Sequence, residues 1–447
     1  MNGKLMSSLL FLMMLPYMAT ADQLSLNQAI ELARYHSPRV LESAAQADAA
    51  KQGLREARAA RLPSFEFQEA YVYTDSPADV FALKLMQKRF SFPDFVMSDP
   101  NRPSPVGNFM TGVQATMPLY TGGRLSAGIA QAAHMTDAAT ALQTRTAEAV
   151  TFMVTSTYMD ALLADRVVEL AIKARDTTSR HVEQAQAYFD AGMIVESDLL
   201  QARVQLAHME ENLITASNNA TLAHVGLNRV MGVELANDYQ LGSTLTDLRE
   251  PDMTLDAAEK DALARRTDLV AVSAKVHASG LAVARAQGEF LPEIALVGSY
   301  SLNDNHFLGS HGTSYKLMAL VRWNFWNFGQ TQARVARSRD EERAAKEGQR
   351  SYLQQVEFEV RDAWQRVKEA HARKDVASAA VASAEKALSI LDARFEQGIT
   401  RITDLLDVET MLNEARTRDM QARFDLQRSI HALYFALGLP PAGPNEE

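Results

Sequence analysis

Catalysis needs reactive side chains at set spacings, and this 447-residue sequence offers few of them. Its ten histidines are scattered, and no HExxH, P-loop, GxSxG or suitably placed GxGxxG occurs. Asp304, His306 and His311 share one loop and have the residue types to bind a metal. Without a fixed ligand geometry, a solvated surface loop is the default reading. Fourteen methionines (19 − 5) lie beyond residue 21, dispersed along the chain, which gives soft-metal export little support. Asn219-Ala-Thr221 has the glycosylation pattern but falls in a helical stretch. These observations point away from an enzyme, a cofactor or a bound metal.

The aspartates that recur at an offset of 206 residues (404 − 198) are Asp198 and Asp404. Residues 187–206, AYFDAGMIVESDLLQARVQL, correspond to residues 393–412, ARFEQGITRITDLLDVETML. Phe395 falls on Phe189, Gly398 on Gly192, Asp404 on Asp198 and Leu405 on Leu199, at one offset (398 − 192 = 206). Each copy ends a long helical pattern, turns at a glycine able to take positive φ, and opens a second helix. The aspartate in that first turn suits the positive end of the helix dipole. Each copy reads as the tip of a helical hairpin.

The rest of the chain positions those tips, and it is doubled too. Residues 22–236 form a first repeat, with a β-hairpin at about 64–120 and a tip at about 190–197. A linker at 237–253 leads to a second repeat, 254–440, with a β-hairpin at about 293–326 and a tip at about 396–403. Residues 441–447 are a tail. Leu-Pro at 62–63 recurs at 291–292, an offset of 229, so the halves differ by 229 − 206 = 23 residues, all lost between the strands of the hairpin. The helices are length-matched while the turn-rich segment 75–108, with five prolines, has no equal, as expected of a fixed scaffold with an exposed loop.

Two periodicities indicate two environments. From Leu353 through Val356, Val360, Ala363, Val367 and Ala370 to Phe395, apolar residues alternate threes and fours, broken by Lys374. A helix over about 328–396 would run roughly 100 Å at ~1.5 Å per residue. The four strands instead alternate with period two and are about ten residues long, the length of a transmembrane strand. Leu317, Ala319, Val321, Trp323 and Phe325 share one face and Lys316, Arg322 and Asn324 the other. Tyr71, Tyr73, Tyr300, Trp323 and Trp326 stand near strand ends, where an aromatic girdle belongs. Glu69 falls among Phe67 and Tyr71 on the apolar face, which places it at an interface or shifts the register.

Residues 1–21, with Lys4, an apolar run over 5–18 and Ala19-Thr20-Ala21, read as a signal peptide. No later stretch reads as a transmembrane helix, so a membrane location implies a β-barrel. There is no cysteine, hence no disulfide and no N-terminal Cys to acylate. A net charge of −10 argues against nucleic acid as a partner. Four strands cannot close a barrel alone, so open edges must pair with further copies of the chain.

At this point the sequence resembles the TolC-like family of outer-membrane efflux channels. The resemblance rests on the two Leu-Pro strand entries, the paired tips Gly192…Asp198 and Gly398…Asp404-Leu-Leu-Asp407, and the doubled helix–strand–strand–helix order. It implies a mixed α and β membrane protein: a homotrimer with a 12-stranded outer-membrane barrel, four strands per chain, continuous with a long α-helical coiled-coil periplasmic tunnel. It implies outer-membrane lipid around the barrel, a periplasmic adaptor (membrane fusion) protein and an inner-membrane transporter as partners. Function by resemblance is the Gram-negative outer-membrane exit duct of a tripartite export system, for small-molecule (drug or toxic compound) efflux, with type I protein secretion as the alternative. A structural coiled-coil trimer without a channel is the rival from another class; it leaves the four symmetric strands unexplained.

By the same resemblance, Asp404 and Asp407 match two rings of carboxylates that narrow the periplasmic end. Dipole compensation is the competing reading of Asp404 and Asp198. Asp407 lies a turn further in, and its counterpart is Gln201. Where relatives lock the closed state with tyrosine and arginine, this chain has Phe395 and Thr400, with Arg401 adjacent. Phe395 has no hydroxyl to donate, which leaves packing, or Arg401 with Asp198, to hold the tips. The adaptor is expected at the tip turns, Gly192-Met193 and Gly398-Ile399.

Overall fold

A computed structural model describes residues 23–96, 99–242, 248–397 and 399–440. The expected signal peptide, the tail 441–447 and Gly398 lie outside the described residues.

Local signals set most boundaries. Helix α1 (Leu26–His36) opens on a capping box in which Ser25 and Gln28 satisfy each other's backbone N–H groups. It stops before Pro38, which begins α2 (Pro38–Ala59). Proline is tolerated in a first turn, where its missing N–H has no helical partner anyway. Strands β1 (Ser64–Thr74) and β2 (Val106–Tyr120) follow, then α5 (Arg124–Asp190) and α6 (Glu196–Met231). The second half runs α7 (Leu255–Arg265), α8 (Thr267–Gln287), β3 (Glu293–Asp304), β4 (Gly312–Arg322), α9 (Gln330–Glu396) and α10 (Ile402–Leu437). The duplication is exact in helix length: α5 and α9 are each 67 residues, α6 and α10 each 36.

Three sequence expectations need correction. The segment 75–108 is not only turns: it holds α3 (Pro77–Met86) and α4 (Phe92–Val96). Pro77 starts α3 rather than breaking it, again because a first turn accepts proline. Strand β4 ends at Arg322, short of Trp326, because Arg322 pairs with Glu293, the first residue of β3, and the ladder has no partner beyond. Trp323 instead donates its indole N–H to the Phe290 carbonyl at 3.0 Å. Finally, the stretch Thr267–Phe290 is long and apolar enough to cross a membrane by length and composition. The sequence reading passed over it; its Ala271 and Ala274 pack against Ala138 of α5.

The four strands form one antiparallel sheet in the order β1-β2-β3-β4, so β1 and β4 are its open edges. The register puts Phe65, Phe67, Tyr71 and Tyr73 on the same face as Phe109, Val113, Leu296, Leu302, Leu317 and Val321. The large side chains at both edges are bare, Tyr315 at 86% and Phe65 at 75% exposure. Gln68, Gln114, Ser299, Ser301 and Lys316 fall on the opposite face. Glu69 is on the apolar face in mid-strand, opposite Thr111, so the expected register stands. Its carboxylate oxygens are buried with no hydrogen-bond partner among the described residues.

Contacts divide the chain into two compact units, each drawing on both repeats. One comprises the described residues of 42–146 and 258–359, and contains the sheet. Here Arg266, at the start of α8, is buried in a bidentate pair with Asp268 (3.1 and 2.7 Å) and holds Glu359 at 2.6 Å. Tyr352 donates to Asp268 at 2.9 Å. Burial is the largest single influence on the Asp268 carboxyl and pushes its pKa up, but the Arg266 and Arg145 guanidiniums and the Tyr352 hydroxyl together outweigh it and hold the carboxyl below its usual range.

The other unit comprises the described residues of 1–41, 147–257 and 360–447. Its core joins Leu24, Ala29, Ala33, Val154, Tyr158, Leu227 and Met231. Tyr158 donates to the Leu24 carbonyl at 2.7 Å, and Leu24 bridges to the strand-like residues Gln240–Gly242. Helix α6 ends at Gly232, φ 76°, where a Cβ would sit 2.3 Å from the His36 carbonyl oxygen. Only glycine fits that turn.

Candidate functional site: the paired hairpin tips

Both tips close in the same way. After α5, Gly192 takes φ 71°, and the Met193 N–H returns to the Tyr188 carbonyl at 2.8 Å. After α9, the Ile399 N–H returns to the Arg394 carbonyl at 2.9 Å, the same six-residue loop. The tips then pack on each other through Ala185 of α5, Leu199 and Ala202 of α6, Phe395 of α9, and Ile402, Leu405 and Leu406 of α10. Leu405 is fully buried and Ile402 nearly so. Burying such side chains contributes roughly 1.5–3 kcal/mol each.

This packing dictates where the carboxylates stand. Leucines at 405 and 406 occupy the inner side of the first turns of α10, so Asp404 and Asp407, three apart, are both exposed on the outer side. Thr400 donates its hydroxyl to Asp404 at 3.0 Å, which tethers that carboxylate to the helix start. Asp198 is half-buried on the matching turn of α6. Arg401 is exposed and, among the described residues, forms no ion pair with Asp198 or any other carboxylate. Phe395 is buried against the Tyr188 ring, centroids 5.8 Å apart. Met193 and Ile399 project from the turns, 67% and 68% exposed.

Three polar groups behind the tips escaped the sequence reading. Tyr188, on the first tip, carries a hydroxyl that accepts from Gln184 of its own helix at 3.1 Å. Gln205 donates to Thr410 at 2.7 Å, tying α6 to α10. His181 of α5 lies 3.3 Å from Glu409 of α10, both largely buried. The hydrogen bond to Glu409 raises the His181 pKa, against the desolvation that lowers it. Glu409 falls in the stripe Ile402, Leu405, Leu406, Leu412, and a carboxylate on an apolar helix face was the available signal.

Comparison with known proteins agrees with this architecture. The chain is 24% identical to the outer membrane protein TolC of Escherichia coli K12, over 94% of this chain and 84% of that one. Its fold matches the crystal structure of the outer membrane channel CmeC of Campylobacter jejuni with a TM-score of 0.80 at 16% identity, covering 92% and 85% of the two chains. It matches the open state of the outer membrane channel MtrE of Neisseria gonorrhoeae with a TM-score of 0.77 at 16% identity, covering 93% and 89%. The family model described as "Outer membrane efflux protein" matches residues 29–233 and 259–439, one segment per repeat, and the chain belongs to that family.

Proposed function

We propose that three copies of this chain build an exit duct in the outer membrane, closed at its periplasmic end by the paired tips and ringed there by Asp404 and Asp407. The observation that carries the reading is the sheet. It has four strands of 11–15 residues, one bare apolar face and two unpaired edges. In a bilayer every backbone group must be paired, so such a sheet is stable only when its edges join those of further copies. Three copies give twelve strands, a closed barrel whose apolar face meets lipid and whose polar face lines the lumen.

At the tips, buried leucines hold each hairpin pair together within a protomer and leave the aspartates on the outside. Threefold symmetry then brings six carboxylates (2 × 3) around one axis. Such a ring concentrates cations and binds multivalent ones tightly. Phe395 acts here as packing, with Tyr188 beside it, and Thr400 fixes the Asp404 carboxylate. The exposed Met193 and Ile399 offer apolar contacts to a periplasmic adaptor, which couples the duct to an inner-membrane transporter. Efflux accords with the family description, and small molecules are the substrate class of this reading.

Single-channel conductance in planar bilayers tests the duct and the ring together. The wild type is expected to give a small cation-selective current that trivalent cations block from the periplasmic side. Asp404→Ala with Asp407→Ala is expected to keep the current and lose the block. A block that survives the double change removes the ring from the proposal; absence of current from inserted trimers with destabilised tips removes the duct.

A further inference from the structure

Two histidines that export leaves unused face each other from α5 and α8. A seam along which the helices run antiparallel brings them together. Arg145 lies 3.4 Å from Asp268 at one end. Ala138, Ala271 and Ala274 pack in the middle, with Ala141 beside them. The imidazoles of His134 and His277 follow, ring centroids 5.4 Å apart and planes inclined by 25°. Ala138 and Ala271 are fully buried, so short side chains hold the two backbones close and fix the reach of the histidines one turn away.

His277 Nδ1 lies 2.9 Å from the Ser273 carbonyl oxygen. A carbonyl only accepts, so Nδ1 carries the proton and the Nε2 of the neutral ring keeps a lone pair. His134 Nδ1 lies 3.6 Å from the Asp137 carboxylate, beyond hydrogen-bond distance, so its tautomer is left free. An imidazole that gives Nδ1–H to a carbonyl or carboxylate and presents Nε2 is oriented as metal-binding histidines are. Both rings border an open groove with Asp137, Thr140, Thr144 and Ser273.

We infer that His134 and His277 form a two-imidazole site for a divalent transition ion of the zinc or copper kind, which clamps α5 to α8. Two imidazoles bound through nitrogen at ~2.0–2.1 Å to one tetrahedral ion place their ring centres about 5 Å apart. The observed 5.4 Å is close to that, and binding requires the two stacked rings to rotate until their Nε2 lone pairs converge. Among the described residues no set of three or more His, Cys, Asp or Glu side chains is placed to hold an ion. Water therefore completes the shell, and binding is weaker than in a four-ligand structural zinc site. Imidazole nitrogen suits zinc and copper, whereas calcium and magnesium prefer oxygen.

The test uses the untagged full-length oligomer in detergent, stripped with chelator. Zn2+ is titrated against a chromophoric competitor, and frozen Cu2+-loaded samples are read by electron paramagnetic resonance. The expected result is one Zn2+ per chain and a Cu2+ spectrum split by two imidazole nitrogens. His134→Gln and His277→Gln should each abolish that Zn2+ site and reduce the Cu2+ splitting to one imidazole or none. The pair His306→Gln with His311→Gln serves as control and should change nothing. Zn2+ binding that is unaffected by the His134 and His277 changes, or lost with the control pair, overturns the inference. So does a wild-type Cu2+ spectrum without two coupled imidazoles, a result that does not depend on any variant folding.

Discussion

Acid should weaken this protein at His431 of α10. Its side chain is 3% exposed, stacked on Phe152 with centroids 5.4 Å apart, and neither ring nitrogen has a hydrogen-bond partner among the described residues. Burial alone pushes its pKa down from 6.5 to about 4. The unfolded chain therefore takes up a proton near pH 6.5 that the folded chain refuses until about pH 4. The stability of the neutral ring is full above pH 6.5 and is lost as pH falls through that window. The whole penalty is (6.5 − 4) × 1.36, about 3.4 kcal/mol. At pH 5, partway through, it is about 2 kcal/mol. The face of Phe152 attracts an imidazolium by about 0.5–1 kcal/mol, which leaves at least about 1 kcal/mol. The assay compares wild type with His431→Leu, similar in volume and unable to titrate, by denaturant unfolding followed with far-UV circular dichroism at pH 7 and pH 5. Other groups titrate alike in both, so the quantity of interest is the change in their difference. The leucine variant should gain about 1–2 kcal/mol on the wild type between the two pH values. A difference that stays constant, or that favours the wild type in acid, refutes the reasoning.

The tip pair responds in the opposite sense. The His181 pKa is raised by Glu409, so its contribution is full below pH 6.5 and is lost as pH rises through the higher folded value. Limited proteolysis at the tips should accelerate toward alkaline pH in the wild type and lose that dependence in Glu409→Gln. In the sheet-bearing unit, Asp268→Ala removes the bidentate partner of the buried Arg266 and leaves it paired with Glu359, which should cost less than the roughly 3–5 kcal/mol of a fully unpaired buried charge, read as a lower denaturant midpoint. Replacing both residues with apolar ones of similar size should recover most of that loss. Gly232→Ala meets both a positive φ and the His36 carbonyl, whereas Gly192→Ala meets positive φ in open space. The first should destabilise more than the roughly 1–2 kcal/mol of left-handed strain expected of the second, by the same unfolding measurement.

Much of this was legible in the sequence because it is periodic or repeated. Period-two alternation located the four strands, and threes and fours located α9, whose Val356, Val360, Ala363 and Val367 are all buried. Duplication paired the tips before any coordinates. Where a residue type has two uses, the reading slipped. Proline signalled turns in 75–108, yet Pro77 opens a helix. Trp323–Trp326 kept the strand alternation after the partner strand had ended.

The sequence alone determined the doubled order of elements, the apolar and polar faces of the strands, and the turn at each tip. These depend on neighbours a few residues apart, where backbone geometry relates spacing to direction. Tertiary structure alone decided which distant polar groups meet. His181 and Glu409 are 409 − 181 = 228 residues apart, and His134 and His277 sit on helices from different repeats. No local pattern marks such pairs, because each depends on how closely two helix backbones approach. That distance is set by the alanines and leucines packed between them.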